Sequence, residues 1–173
     1  MKNSMKGFIL ISSLIISSAC SFASGVVTTN SFTIMTYNVE NLFDTKHDEG
    51  KKDWSMLPLA FKLSSPEVQA YCASMTNEYY KKTCLELDWS EEIMTKKIHQ
   101  AAKVIRSFAN GGADIVVFQE MENMNAMKLL VNKGLAGRGY KHFSLIEGPD
   151  SRGIDVGLIS RFPIISQKMH TID

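Results

Sequence analysis

Neither sign of charge is in excess in this sequence. The 173 residues include 19 Lys and Arg and 18 Asp and Glu, which gives a net charge of +1. Lys2 and Lys6 lie in a segment that we expect to be removed, and the remainder carries 17 basic and 18 acidic residues. This balance excludes a whole-protein positive field that would attract nucleic acid, although local patches can still exist.

The sequence also lacks an apolar run long enough to span a bilayer as a mature helix. Its longest such run, "GFILISSLII" (7–16), is shorter than the roughly 20 residues required. Two lysines precede it and the small residues of "SFA" (21–23) follow it, which is the pattern of a cleaved secretory signal. We therefore predict a signal peptide over 1–23, a linker over 24–31, and export to the periplasm or the medium.

One alternative for the N-terminus is a lipid anchor. Cys20 follows "SSA" and could be lipidated, which would tether the protein to a membrane. Ser17 stands three residues earlier, where lipoprotein signals usually carry Leu, so the sequence favours simple cleavage.

Cysteine is scarce, with only three in the chain. Cys72 and Cys84 form an even pair at short spacing, which in an exported protein predicts a disulfide. Such a loop closure stabilises by about 3 kcal/mol. Two free buried thiols are the alternative, and a zinc site is disfavoured because no further histidine or cysteine lies near enough.

The hydrophobic pattern predicts an α/β domain with mixed strand directions. The predicted strands are 32–38, 114–120, 143–147 and 155–160, with a further strand beginning at Ile164; the predicted helices are 65–74, 77–87, 90–108 and 123–133. The long helix has an N-cap at Ser90 and ends at Asn110-Gly111-Gly112. Residues 46–89 are predicted to be an insertion held by the disulfide.

Two of these strands end on metal-binding types of side chain. Asn38 follows the first apolar run, and Glu120 follows "DIVVFQ". If the helix between them is a crossover, the strands are parallel and both ends lie at one edge, where ligands of such sheets bind. An amide and a carboxylate oxygen suit Mg²⁺, with Mn²⁺ or Ca²⁺ as alternatives to it. For each residue alone, a turn-forming Asn and a solvated Glu remain the simpler interpretation.

A third segment, "GPDSRGIDVGLISRFPI" (148–164), carries charged residues around a strand. Arg152 and Asp155 flank its start, and Arg161 ends it. A guanidinium group matches a phosphate well, whereas surface ion pairs among these residues would contribute little.

Three motifs together resemble one family. The segments "TYNVENLFD", "VVFQEMEN" and "RGIDVGLISRFPI" are similar, in this order, to signatures of the endonuclease/exonuclease/phosphatase superfamily, which has the deoxyribonuclease I-like fold. The resemblance implies a four-layer α/β/β/α sandwich of two mixed sheets. It also implies hydrolysis of a phosphodiester with a divalent metal.

The resemblance gives roles to individual residues. Asn38 would belong to the metal and phosphate site, Glu120 would be the metal-binding carboxylate, and Arg161 would contact substrate phosphate. Arg152 and Asp155 would belong to the substrate-binding motif without a sharper role. Glu122 would stand where some nucleases carry an Arg against DNA.

Near the opening motif, we expect Leu42 and Phe43 in the core, with Glu40, Asn41 and Asp44 as supporting or solvated residues.

The family's later motifs, a catalytic histidine, Gly-Asp-x-Asn and Ser-Asp-His, do not occur in this sequence. We therefore expect residues 32–173 to be a partial domain, about the first half of the fold, without a clear general base. His142 is expected to be an edge-strand residue. The leading interpretation is a nuclease acting on DNA or RNA; a sphingomyelinase-like or phosphoinositide phosphoesterase and a non-enzymatic binding protein are the alternatives.

Overall fold

The computed structural model describes residues 31–170. Its elements are β1 (Ile34–Leu42), α1 (Leu59–Ser64), α2 (Pro66–Ala73), α3 (Glu78–Glu86), α4 (Glu91–Ser107), β2 (Ile115–Met121), α5 (Met124–Leu129), β3 (His142–Ile146) and β4 (Asp155–Ser160). Single 3₁₀ turns cover Trp54–Met56 and Ala109–Gly111, and a π-helical turn, Leu130–Gly134, continues α5. The predicted signal peptide and Cys20 lie outside the described residues.

The strands of the described region form one mixed sheet in the order β1-β2-β4-β3. β1 and β2 are parallel, with Asn38 beside Gln119, as the crossover by α4 predicted. β4 runs antiparallel to both β2 and β3. The order places β3 at an edge, so the expectation that His142 is an edge-strand residue is confirmed.

The helix α4 covers one face of this sheet. Ser90 caps it by accepting a hydrogen bond from the Ile93 amide, as the sequence predicted. Its buried residues are Met94, Ile98, Ala101, Ala102 and Ile105, which recur at helical spacing. They share a core with Val116, Phe118 and Ile159 of the sheet. Burial of this apolar face is the main stabilising contribution in the domain.

The opposite face of the sheet is more open to solvent. Ile34 of β1 is 57% exposed and Val156 of β4 is 58% exposed. The predicted strand at Ile164 is wrong, because residues 163–170 form no regular structure. Within the described residues there is a single sheet, so the α/β class is present and the four-layer sandwich stays a prediction.

Residues 46–89 form a helical insertion with its own small core. Cys72 of α2 and Cys84 of α3 are joined by a disulfide, with their Cα atoms 5.4 Å apart. Val68 packs with both cysteines. Lys62 is 2% exposed and donates to the carbonyls of Ser55 (3.1 Å) and Cys84 (2.8 Å). These bonds tie α1 to the rest of the insertion.

The insertion is also anchored to the sheet. Trp89 is buried, and its indole N–H lies 3.2 Å from the Phe43 carbonyl and 2.9 Å from the Asp44 carbonyl. The Lys52 amide donates to the Ser151 carbonyl at 2.8 Å. Among the described residues, no helix is long and apolar enough to cross a membrane.

Candidate active site at the carboxyl ends of the parallel strands

The backbone at the ends of β1 and β2 takes an unusual conformation. Glu40, Asn41 and Glu120 have φ values of 52°, 62° and 62°, in the left-handed region that side chains other than glycine rarely adopt. Each such residue costs about 1 kcal/mol or more. The regular pairing of β1 with β2 is interrupted between Asn38 and Leu42. Lys97 of α4 holds this bend by donating to the Glu40 carbonyl.

The bend brings together the two residues that the sequence singled out. Asn38 Nδ2 donates to Glu120 Oε1 at 3.0 Å, although 82 residues separate the two in the chain. Asn38 Oδ1 in turn accepts from the Glu40 amide at 2.7 Å. The amide of Asn38 is thus fixed at both ends, and it orients the Glu120 carboxylate.

This pair fits a hard, largely hydrated cation. Asn38 and Glu120 supply only oxygen as donor atoms for a metal, which suits Mg²⁺, Mn²⁺ or Ca²⁺ better than zinc. Within residues 31–170, no cluster of three His, Cys, Asp or Glu side chains is arranged to hold a metal. A cation here would therefore bind through one carboxylate and take its other ligands from water and substrate, as Mg²⁺ usually does.

Two further predicted residues lie near this edge. Arg152 Nη2 pairs with Asp150 Oδ2 at 3.0 Å, and this hydrogen bond raises the pKa of the guanidinium, with a smaller contribution from the charge of Glu120. Asp155 opens β4 beside Met121. It lines, with Glu120, a cavity of about 680 Å³ on the open face of the sheet.

Asp155 is buried with one oxygen unpaired. It is 6% exposed; its Oδ1 accepts from the Gly148 amide at 2.6 Å, and its Oδ2 has no partner. Burial raises the pKa of this carboxyl, and the Gly148 hydrogen bond opposes the rise. An unpaired buried oxygen is costly, so Oδ2 of Asp155 retains the capacity to accept a hydrogen bond.

The structure does not bring Arg161 to the same edge. Arg161 follows β4, which is antiparallel to β2, so it lies beside Asp114 at the opposite end of β2 from Glu120. Its Nη1 pairs with Asp114 Oδ1 at 3.1 Å, and its guanidinium lies 5.1 Å from the Tyr140 ring centre. Asp114 and Glu120 are six residues apart, which corresponds to roughly 20 Å of extended strand. A phosphate at Glu120 is out of its reach, and substrate binding by Arg161 stays a prediction.

Glu122 differs from its sequence-based interpretation, whereas Asp44 is one of the supporting residues that the sequence predicted. Asp44 was expected to be supporting or solvated, and the family position of Glu122 faces DNA. Both are buried, with Asp44 4% and Glu122 1% exposed. The Asp44 amide donates to Glu122 Oε2 at 2.6 Å, and Asn125 Nδ2 donates to Asp44 Oδ2 at 2.7 Å. These residues belong to the framework beneath the site. Leu42 and Phe43 are buried, as predicted.

A second cavity, of about 520 Å³, lies between the insertion and the strand ends. Asn41 and Arg152 line it from the sheet side, and Tyr71, Asn77 and Tyr80 line it from the insertion. Sequence reasoning did not find these tyrosines as site residues, because they follow no metal or catalytic motif. The one local signal was the helix start at Asn77, whose Oδ1 accepts from the Tyr80 amide at 3.2 Å.

Comparison with known proteins identifies the family. A family model described as Endonuclease/Exonuclease/phosphatase family matches residues 71–171, more than half of the chain. The chain belongs to the endonuclease/exonuclease/phosphatase family. The match includes Glu120, Arg152, Asp155 and Arg161, whereas Asn38 precedes it. No curated protein and no solved structure matches the chain.

Membership of the endonuclease/exonuclease/phosphatase family places the chain among phosphoesterase and nuclease-type proteins. Members of this family typically use divalent metals. The oxygen donors at the ends of β1 and β2 are compatible with that chemistry.

Proposed function

We propose that this chain is part of an exported, divalent-metal-dependent phosphodiesterase that hydrolyses nucleic acid. The single observation that carries the proposal is the hydrogen bond between Asn38 and Glu120, 3.0 Å long, at the meeting point of two parallel strand ends. It holds a carboxylate where ligands of such sheets bind. Family membership supplies the reaction class.

In this proposal, Mg²⁺ is held by Glu120 and by waters, with Asn38 fixing the carboxylate. The bound cation would polarise a phosphoryl oxygen and stabilise the charge that develops as water attacks phosphorus. Asn38 Nδ2 donates its hydrogen bond to the Glu120 carboxylate and keeps that carboxylate in one orientation. Arg152 adds positive charge near the same edge.

Asp155 lines the cavity that Glu120 shares, and its Oδ2 is buried without a partner. We assign Asp155 the role of binding substrate or its water by accepting a hydrogen bond there. Because the carboxyl is buried and its pKa is raised, it can also take up a proton more readily than an exposed Asp.

Export is the second part of the proposal. It is supported by the signal-like residues 1–23 and by the Cys72–Cys84 disulfide, since disulfides persist in oxidising compartments. A lipid anchor at Cys20 remains the alternative route to the cell surface. Mass spectrometry of the mature protein distinguishes the two by the N-terminal residue and an added lipid mass.

The first experiment measures metal binding separately from activity. Mn²⁺ is titrated into the wild-type protein, and the broadening of amide NMR signals near Asn38 and Glu120 is recorded. Glu120→Gln keeps the oxygen that accepts from Asn38 and removes the charge, so broadening should disappear in this variant. Glu49→Gln, at an exposed position, is the matched control. Broadening that persists in Glu120→Gln would contradict the metal site.

The second experiment measures hydrolysis of plasmid DNA, RNA and sphingomyelin with Mg²⁺. We expect any cleavage of a nucleic acid by this chain to require Mg²⁺, to fall to background in Glu120→Gln and to fall by 10- to 100-fold, on the order expected for an outer-shell partner, in Asn38→Ala. Preference for sphingomyelin would reject nucleic acid as the substrate. Cleavage that is unchanged in Glu120→Gln would reject the proposed metal-dependent site.

A further inference from the structure

The cavity between the insertion and the strand ends is the strongest unassigned feature of the molecule. Its volume of about 520 Å³ lies in the range of small-molecule sites, roughly 300 to 1,000 Å³. Tyr71, Met75 and Tyr80 give it apolar and aromatic walls, and Asn77 and Thr83 add hydrogen-bonding groups. Such a mixture suits a flat ligand with apolar faces and polar edges.

The walls of this cavity are held in place by the fold. The Cys72–Cys84 disulfide joins the helices that carry Tyr71 and Tyr80. The side chain of Asn77 caps α3 through the amides of Tyr79 and Tyr80, at 3.0 and 3.2 Å. A cavity built in this way loses little conformational freedom when a ligand enters.

Charge at the cavity favours an anionic ligand. Lys52 and Arg152 contribute two cations to its lining, of which Arg152 is paired with Asp150. The lining carboxylate, Asp53, is 2% exposed and is bound to His47 and to the Asp48 amide. Two cations would repel the quaternary ammonium of a choline headgroup.

Arg152 connects the cavity to the candidate active site. It lines the cavity beside Tyr80, and it lies close enough to Glu120 for their charges to interact. Asn41, also in the lining, is three residues from Asn38. A group bound in the cavity would therefore be joined to a phosphate at Glu120 by a short linker.

We propose that this cavity is a subsite for a nucleobase of the substrate, which stacks on Tyr80 next to the phosphate held at the strand ends. This inference rests on the proposed function, because it takes the scissile phosphate to lie at Glu120. Aromatic side chains stack on bases of any sequence, so the subsite would favour nucleic acid over other phosphodiesters without strong sequence preference.

The test is a binding measurement that does not require turnover. Deoxyadenosine 5′-monophosphate (dAMP) and 2-deoxyribose 5-phosphate are titrated into the full chain in EDTA, and binding is followed by calorimetry. We expect the nucleotide to bind at least tenfold more tightly than the sugar phosphate, because only the nucleotide carries a base to stack.

The chain offers a matched pair of variants. Tyr80 is 60% exposed and lines the cavity, whereas its neighbour Tyr79 is 73% exposed and does not. We expect Tyr80→Ala to raise the Kd for the nucleotide about tenfold, with Tyr80→Phe and Tyr79→Ala within twofold of wild type. Circular dichroism checks that each variant is folded.

Several results would overturn the subsite. They are equal affinity for the nucleotide and the sugar phosphate, equal effects of Tyr79→Ala and Tyr80→Ala, and Tyr80-dependent binding of phosphocholine in place of the nucleotide.

The activity assay separates this inference from the proposed function. Glu120-dependent cleavage of DNA with an unchanged KM in Tyr80→Ala would reject the subsite alone. Tyr80-dependent nucleotide binding together with cleavage that is unchanged in Glu120→Gln would reject the proposed function alone.

Discussion

Glu122 should make this protein less stable as the pH rises. The side chain is 1% exposed, and burial raises its pKa from 4.5 to about 9, while the Asp44 hydrogen bond opposes the rise and the carboxylates of Asp44, Asp48 and Asp53 add to it. The folded state therefore holds a proton that the unfolded state releases between these two values. The contribution of Glu122 to the free energy of unfolding is fully present below pH 4.5 and is lost progressively as the pH rises to about 9.

The size of the effect follows from linkage. Each pH unit in this window lowers the free energy of unfolding by about 1.4 kcal/mol, so that roughly 3 kcal/mol is lost by pH 7. Glu122→Gln replaces the protonated carboxyl with a neutral group of the same shape. It should remove this slope and make the protein more stable than wild type above pH 5, by an amount that grows with pH.

The assay is urea unfolding at several values between pH 5 and 9, followed by the fluorescence of the two tryptophans, of which Trp89 contacts the Asp44 carbonyl. The quantity compared is the difference between wild type and Glu122→Gln, because other titrating groups cancel in it. Glu49→Gln, at an exposed position, should show no difference at any pH. A Glu122→Gln protein that is less stable than wild type at pH 8 would refute the reasoning, since it would mean that the charged carboxylate is needed in the fold.

Two further perturbations test the insertion. Replacing Cys72 and Cys84 together by Ala should lower the free energy of unfolding by about 3 kcal/mol, because their separation is 12 residues; urea denaturation with and without dithiothreitol checks this, and no effect of the reductant on wild type would contradict it. Lys62 should give a pH dependence opposite to that of Glu122. Burial lowers its pKa from 10.5 to about 8, so the unfolded state binds the extra proton and stability rises between these values. Thermal unfolding of wild type and Lys62→Met is compared across this range, because the opposite contribution of Glu122 up to about pH 9 cancels in the difference. Stability of wild type relative to Lys62→Met should rise with pH, and a difference that stays constant would contradict the assignment.

Local patterns were sufficient to predict the elements that position the site. The N-cap at Ser90 and the apolar spacing of α4 identify a crossover helix, and a crossover makes β1 and β2 parallel. Parallel strands end at the same edge, which is why Asn38 and Glu120 could be paired from the sequence alone. The left-handed backbone at Glu120 was not foreseeable, because only tertiary contacts stabilise such a conformation in a residue other than glycine.

Burial of polar residues was the main failure of the sequence-based interpretation. The family position of Glu122 faces DNA, but the residue is buried, and the Asp44 amide that donates to it lies 78 positions away in the sequence. Arg161 was interpreted from its motif, whereas its position follows from the antiparallel register of β4. The tyrosine-lined cavity depends on how the insertion folds back on the sheet, and no periodicity in residues 46–89 encodes that arrangement.

The left-handed backbone of Glu120 has a consequence for anyone who engineers this protein. A procedure that selects only for stability would choose glycine at this position, because glycine adopts a φ of 62° without steric cost. The resulting protein would be at least as stable and would have lost the carboxylate on which the proposed metal site depends. Position 120 is thus a point where optimising the fold and preserving the chemistry oppose one another, and it should be held fixed in any stabilisation of this scaffold.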